Sequence, residues 1–428
     1  MIVLDNVEQA AYHLNDLEQL LSSKEVLYFP ASYRDAYNFE ATDNTNVLLR
    51  SEVLKKLSTS KKKNIIVTYP QALFEKVISH QTLKRKTLTV KKGDVLGLDF
   101  VNETLFEYGF DRVNFVTQPG EFSVRGGMID VFSFAHQYPC RMEFFDQEIE
   151  SLRSFDVNTQ LSISPLDQID LLPNTSKVSF SEKRKSLIDS LPKQSTVVFN
   201  KLDLCLDRME ILEAKTAKQF EYLETSVQHP PKVMFLNPQE LLERLANQSL
   251  VLINNSDQIK PKEHISVKQN PQPSINKQFD LLVQILNDNH ASGVKNYIFC
   301  SSEAQRKRFN EIFDQMETKV HYKTVVCTLF EGYEDIEAGV ACYTDHQIFE
   351  RYHKFKLRSA AAKKDILTIK ELTHLKIGDF VTHIDHGVGK FGGLQKIDVN
   401  GVKQEAIKLS YGERDILYLS IHSLHKIT

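Results

Sequence analysis

Two short stretches near the end of the chain come closest to a ligand-binding or catalytic pattern. Gly387-Val388-Gly389-Lys390-Phe391 approaches a phosphate-cradling loop, in which glycines let backbone amides close on phosphate and a Gly-Lys-Ser/Thr ending holds magnesium. The spacing is wrong and the hydroxyl is missing, so these glycines read as bends and close-packing points. His383 and His386, in a group completed by His374, His422 and His425, have a spacing that could serve a metal. On a strand, however, a three-residue step sends two side chains to opposite faces, which favours surface or packing roles. Cys140, Cys205, Cys300, Cys327 and Cys342 stand far apart with no CxxC pair, so neither a zinc site nor a disulfide framework is expected. No GxSxG, HExxH or GxGxxG occurs. The expectation is a chain with no catalytic residue, metal or cofactor of its own.

Recognition chemistry is better represented. In Cys140-Arg141-Met142-Glu143-Phe144-Phe145, period-2 alternation places Arg141, Glu143 and Phe145 on one face and Met142 and Phe144 on the other, toward a core. Phe145 then stands exposed beside an arginine, the composition of a protein-interface hot spot. Arg125, next to Gly126-Gly127, can present its guanidinium to a partner's carboxylate. A second candidate is the strand Leu394 to Val399 before Asn400-Gly401, where Ile397 lies between Lys396 and Asp398. At a sheet edge its free amides and carbonyls could pair with a strand of another protein.

The elements that must carry these residues fall into several units. The first ninety residues alternate apolar bursts (Glu25 to Pro30, Asn64 to Pro70) with helical patterns (Asn46 to Leu57), the signature of an α/β unit with a largely parallel sheet. Its first strand reads as already under way, so the natural domain is expected to begin upstream of Met1. From Gly93 the pattern becomes one helix followed by alternating strands, an α+β module over 93–172 inserted between the α/β parts 1–92 and 173–260. A helix around Glu182 to Ser190 and another over Lys201 to Ala214 are expected in the second part. The proline-bearing run Ile259 to Ser274 reads as a linker, and 275–352 as a small third α/β unit. A basic connecting segment covers 353–371, and 372–428 forms a small, strongly bent β-barrel with a hairpin at Asn400-Gly401.

Lys and Arg number 53 against 56 Asp and Glu, a net charge of -3, so no global basic field draws the chain to nucleic acid. Local lysine-rich stretches from Lys55 to Lys92 (with Lys61-Lys62-Lys63) and from Lys354 to Lys370 read as solvated surface, with a backbone-phosphate contact as the other reading. No run is long and apolar enough for a membrane helix, and no signal peptide is apparent, so a cytoplasmic location is expected.

At Gly120 to Phe132, continuing through Arg141 to Asp156, the sequence resembles the motif shared by UvrB and the N-terminal region of transcription-repair coupling factors (Mfd). Gly378 to Gly393 with Leu409 to Ile427 resembles the CarD-type RNA-polymerase-interacting domain of the same family. The resemblance implies a multidomain α/β chain: a UvrB-like α/β domain interrupted by a UvrA-binding module, a small α/β domain and a C-terminal Tudor-like β-barrel. It implies UvrA binding through Arg125, Arg141 and Phe145, and RNA polymerase β-subunit binding through Lys396, Ile397 and Asp398. It also implies a bacterial parent protein whose ATP- and magnesium-dependent DNA translocase, with its DNA contacts, lies beyond Thr428. UvrB itself is excluded, because it carries a phosphate loop and no C-terminal barrel. A CarD-type transcription regulator without a repair role is the competing reading, and it accounts only for the last fifty-odd residues.

Overall fold

The computed structural model describes residues 1–21, 25–33, 43–59, 63–174, 184–222, 230–316, 319–351, 375–383, 386–399, 402–412 and 415–420. The basic segment 353–370, the Asn400-Gly401 turn, Lys61, Lys62, His374, His422 and His425 lie outside them.

The apolar bursts at the start of the chain become Ile2–Val3, Val26–Tyr28 and Ile65–Thr68, joined in one five-stranded parallel sheet by Thr196–Phe199 and Ser249–Leu252. The sheet order is Ser249–Leu252, Thr196–Phe199, Ile2–Val3, Ile65–Thr68, Val26–Tyr28. The helices Val7–Leu20, Asn44–Thr59 and Leu202–Glu221 accompany it. Asn6 caps the first by accepting the Gln9 amide, which satisfies one of the donors a helix start leaves unpaired.

Between the third strand and the fourth, the chain builds a separate six-stranded sheet ordered Ser162–Pro165, Glu148–Phe155, Cys140–Phe145, Met128–Val131, Glu121–Arg125, Asp111–Arg112. All its pairings are antiparallel except the last. The helix Leu98–Glu107 and a two-stranded ribbon, Leu88–Lys91 with Gln168–Leu171, complete this region. Its core is continuous with that of the parallel-sheet unit: Phe110, Phe122, Phe134 and Met142 belong to the same buried cluster as Val3, Leu48 and Phe199. Gly120 sits at this seam with φ +84°, and a Cβ there would stand 2.7 Å from the Phe134 ring and 3.1 Å from Asn44 Nδ2.

The third unit has its own core around Leu282, Ile298, Phe309 and Tyr343. Its mixed sheet runs Gln269–Pro271, Tyr333–Asp335, Val340–Thr344, Lys295–Cys300, Lys323–Val326. Thus the end of the stretch read as a linker is a strand: Gln269 to Pro271 pairs antiparallel with Tyr333–Asp335, at a sheet edge where proline's missing amide is tolerated. The last unit is a four-stranded antiparallel meander, Phe380–His383, Gly387–Val399, Val402–Tyr411 and Asp415–Ser420. Phe391 faces Leu409 while Leu394 faces Ile407, so Gly392-Gly393 form a bulge that bends the long strand.

Two expected elements differ. The described part of the helix expected at 182–190 is a short strand, Arg184–Lys185, paired with Val77–Ile78, then a single 3-10 turn at Ile188–Ser190. Arg184 is drawn into the buried surroundings of Arg50 and Glu75, where burial lowers the guanidinium pKa, and the Asp189 carboxylate accepts the Ser186 amide to close a local turn instead. The alternating strands expected after the helix begin short: of Arg112 to Val116 only Arg112 is strand, because the Glu121 carboxylate gathers the amides of Thr117 and Gln118 and turns the chain.

Candidate partner-binding surfaces

The register of the six-stranded sheet decides which side chains share a face. Asp130 lies opposite Arg141, which lies opposite Arg153; Met128 lies opposite Glu143, which lies opposite Ser151. Cross-strand partners point the same way, so these residues form one polar face, while Ile129, Met142 and Leu152 form the buried one. The alternation read from the sequence holds along Cys140–Phe145.

The face is an ion-pair lattice rather than a row of free arginines. Arg141 grips Asp130 with two hydrogen bonds, Nε to Oδ1 at 2.6 Å and Nη2 to Oδ2 at 2.9 Å. Its guanidinium carbon also lies 4.8 Å from the centre of the Phe155 ring. The Arg141 side chain is only 13% exposed and Asp130 1%. Bonding to Asp130 raises the Arg141 pKa further, so the charge is fixed. Arg125 donates to Asp130 as well, and its guanidinium lies 5.0 Å from the Phe115 ring centre. Alongside, Arg153 pairs with Glu143, which also accepts from Ser151. An acid of the same sheet holds Arg141 inward, leaving Arg125 as the more accessible of the two.

Phe145 is where alternation put it, 74% exposed. It ends its strand just before a hairpin turn at Asp146, whose φ is +57°. Phe145 pairs with Glu148, and Glu148 bridges to Val95, which is also exposed. Phe145, Glu148 and Val95 thus form a cross-strand row with two apolar side chains flanking a carboxylate. The structure brings Arg125 and Arg141 together on Asp130 and sets Phe145 about 13 Å farther along the strand, at ~3.3 Å per residue. Asp130, Arg153 and Val95 had escaped the sequence reading as parts of this surface. An aspartate inside the apolar run Met128 to Phe132 was the available signal, since a buried carboxylate needs a charged partner.

In the last unit, Lys396, Ile397 and Asp398 pair through their backbone with Glu405, Gln404 and Lys403. The neighbour on the other side, Phe380–His383, pairs only with Gly387 to Lys390. Among the described residues no strand pairs with the second edge of Leu394 to Val399. Of the glycines of Gly387 to Phe391, Gly389 serves packing, since a Cβ there would lie 2.9 Å from the Tyr411 ring, and Gly387 serves the bend with φ +72° in open space. His383 and His386 do not diverge as expected. His383 closes its strand and the chain turns back, so the His386 amide donates to His383 Nδ1 at 3.2 Å and the rings lie 4.8 Å apart. Among the described residues no group of three or more metal-ligating side chains forms. The five cysteines are all free, and burial raises the Cys140, Cys205 and Cys300 thiols to about 12, which makes them inert at neutral pH. Of the lysine-rich stretch, Lys55 is paired with Asp170 and Lys56 with Glu52. Among the described residues no helix is long and apolar enough to cross a membrane.

Residues 88–176 match the UvrB interaction domain family, and residues 375–428 the CarD-like/TRCF RID domain family. The two matches fall on the inserted six-stranded region and on the antiparallel final unit of a mixed α/β chain. Over its whole length the chain is 25% identical to the transcription-repair-coupling factor of Haemophilus influenzae and 23% identical to that of Bacillus subtilis, covering 43% and 42% of those proteins. The Escherichia coli counterpart is 25% identical over 89% of the chain. The chain spans less than half the length of these relatives.

Proposed function

We propose that this chain is the binding platform of a transcription-repair coupling factor, joining UvrA to RNA polymerase while catalysing nothing itself. The observation that carries the proposal is the pairing, in one chain, of a UvrB interaction domain with a CarD-like/TRCF RID domain. UvrA docks on the surface bearing Arg125, Arg141 and Phe145. Phe145 supplies a desolvated anchor, Arg125 reaches a partner acid from its exposed rim, and Arg141 holds Asp130 and the face in place. The β subunit of RNA polymerase adds a strand along Lys396 to Asp398, with Ile397 as the side-chain contact. An ATP- and magnesium-dependent DNA translocase, carried by the rest of such a protein, displaces the stalled polymerase, and this chain then delivers the excision-repair machinery to the lesion.

Calorimetric titration of the chain with UvrA, alone and as Phe145→Ala, tests the repair half. Binding that Phe145→Ala weakens at least tenfold supports it. A folded chain that ignores UvrA but still binds the polymerase β subunit leaves a CarD-type transcription regulator. Ile397→Glu provides the complementary test: it abolishes polymerase binding and spares UvrA.

A further inference from the structure

Among the described residues, Phe115 packs one recognition unit against the core of the other. Phe115 lies just past the Asp111–Arg112 edge of the six-stranded sheet. It is locked there because the Val113 amide donates to the Phe122 carbonyl at 2.8 Å and the Ser123 hydroxyl to the Asn114 carbonyl at 2.9 Å. From that position its half-buried ring packs against the core of the last unit, formed by Val381, Phe391, Ile407, Leu409 and Leu419 with Leu417 and Tyr411 at its rim. The same ring receives the Arg125 guanidinium at 5.0 Å. Arg125 in turn donates to Asp130, the carboxylate that Arg141 grips. A chain of direct contacts therefore runs from the core of the CarD-like unit through Phe115 and Arg125 into the ion-pair face of the UvrB interaction unit.

We infer that the CarD-like unit of this chain is the resident occupant of the Phe115 edge, and that its docking there is coupled to partner binding at the adjacent Arg125 face. The physical basis is shared occupancy. A partner that covers Arg125 must approach the edge where the CarD-like unit sits, and a force on that unit from its own partner removes the apolar body against which Phe115 holds the Arg125 guanidinium. Coupling of this kind is reciprocal, so each partner alters the affinity of the other by the same factor, of the order of fivefold to a hundredfold. The identity of the partner at the Arg125 face rests on the function proposed above; the docking does not.

Hydrogen exchange on the full chain tests the docking by reading each substitution in the opposite unit. Phe115→Ser is expected to speed exchange in Val402–Tyr411 and Asp415–Ser420, and Leu417→Ser to speed it in Glu121–Arg125, with the circular dichroism of both variants unchanged. Local damage alone would alter only the unit carrying the substitution, and that result, or no change at all, overturns the docking. Titration with UvrA then tests the coupling: Phe115→Ser shifts the affinity at least fivefold from that of the unsubstituted chain. Equal affinities overturn the coupling while leaving the docking intact. Absence of UvrA binding by either chain sinks the coupling together with the assignment of that partner, and the exchange data still decide the docking.

Discussion

Arg141 and Asp130 face each other across adjacent strands and close a two-bond pair, 2.6 Å and 2.9 Å, with Asp130 almost wholly shielded from solvent. The pair changes what an alanine at position 141 would measure. Removing the guanidinium strands a carboxylate that only Arg125 still neutralises, and breaking a buried pair from one side typically costs about 3 to 5 kcal/mol. Arg141→Ala is therefore expected to lower the thermal midpoint by several degrees, so any loss of partner binding would mix misfolding with lost contact. The double variant Arg141→Met with Asp130→Leu should recover most of the stability, because apolar residues of similar volume often replace a buried ion pair at little cost. Thermal unfolding of the three proteins checks this; a double variant no more stable than Arg141→Ala would refute the account.

Phe145 offers the cleaner probe of the same surface. Its ring is largely in solvent, so Phe145→Ala should change unfolding free energy by no more than about 0.5 kcal/mol, as is usual for surface positions. Loss of a hot-spot aromatic from an interface typically costs about 2 kcal/mol or more of binding. The expected pattern is an unchanged denaturant midpoint with UvrA affinity reduced more than tenfold. A lowered midpoint, or undiminished affinity, would contradict the role given to this ring.

The contrast between these two residues shows what the sequence made legible. Strand periodicity was enough to separate Met142 from Arg141 and Phe145, since the side-chain period of a strand is fixed at two. What Arg141 does depends on register: only the pairing of Met128–Val131 with Cys140–Phe145 sets Asp130 opposite it, and nothing local to either strand specifies that. The parallel sheet was legible for a similar reason, because its strands are continuous apolar runs. By contrast, Gln269 to Pro271 looked like linker because its strand character comes from a partner strand more than sixty residues away. Arg184, too, reads as helix surface until tertiary packing brings it beside Arg50 and Glu75. That no described strand pairs along Ile397's second edge depends on where Phe380–His383 stops pairing, again a matter of register.

Gly120 joins the parallel-sheet unit to the inserted region and has no room for a side chain. Its φ of +84° strains any L-residue, and a Cβ would press into the Phe134 ring and the Asn44 amide. Gly120→Ala should therefore destabilise the chain by about 1 to 3 kcal/mol for the backbone alone, with more for the overlap. Because both regions share one core, the loss should appear as a single cooperative transition shifted to lower denaturant, not as early melting of 93–172 alone. Gly126→Ala serves as the control: its φ is also positive, +58°, but the site is open, so it should cost only the backbone strain.

The third unit is fastened to the first helix by Tyr12, which stacks on Phe330 at 3.8 Å, and by Asp16, whose two oxygens each accept the Phe330 amide at 3.1 Å. The Phe330 carbonyl accepts from His346 Nε2 at 2.8 Å, and Asn15 Nδ2 donates to the Thr328 carbonyl at 3.4 Å. Phe330→Ala removes an aromatic stack worth about 0.5 to 1.5 kcal/mol beyond its burial and should expose the stretch 259–268 to limited proteolysis. The docking should also depend on pH. Burial lowers the His346 pKa from its ordinary 6.5, against the opposing pull of Asp345, Asp16 and Glu331. A depressed pKa gives stability that is present above 6.5 and lost as pH falls through the lower, docked value. Burial raises the Asp16 pKa above 3.8, opposed by its bonds to Phe330 and Asn15 and by the charges of His13 and His346. That contribution has the opposite sign: it is complete below 3.8 and lost as pH rises through the docked value. As pH falls the two contributions change in opposite senses, and His346→Gln should remove the loss that sets in below 6.5 while leaving the gain that Asp16 brings. Rates of cleavage at 259–268 measured from pH 7.5 to pH 4.5 would show it, and a profile that His346→Gln leaves unchanged would rule out His346 as the titrating group.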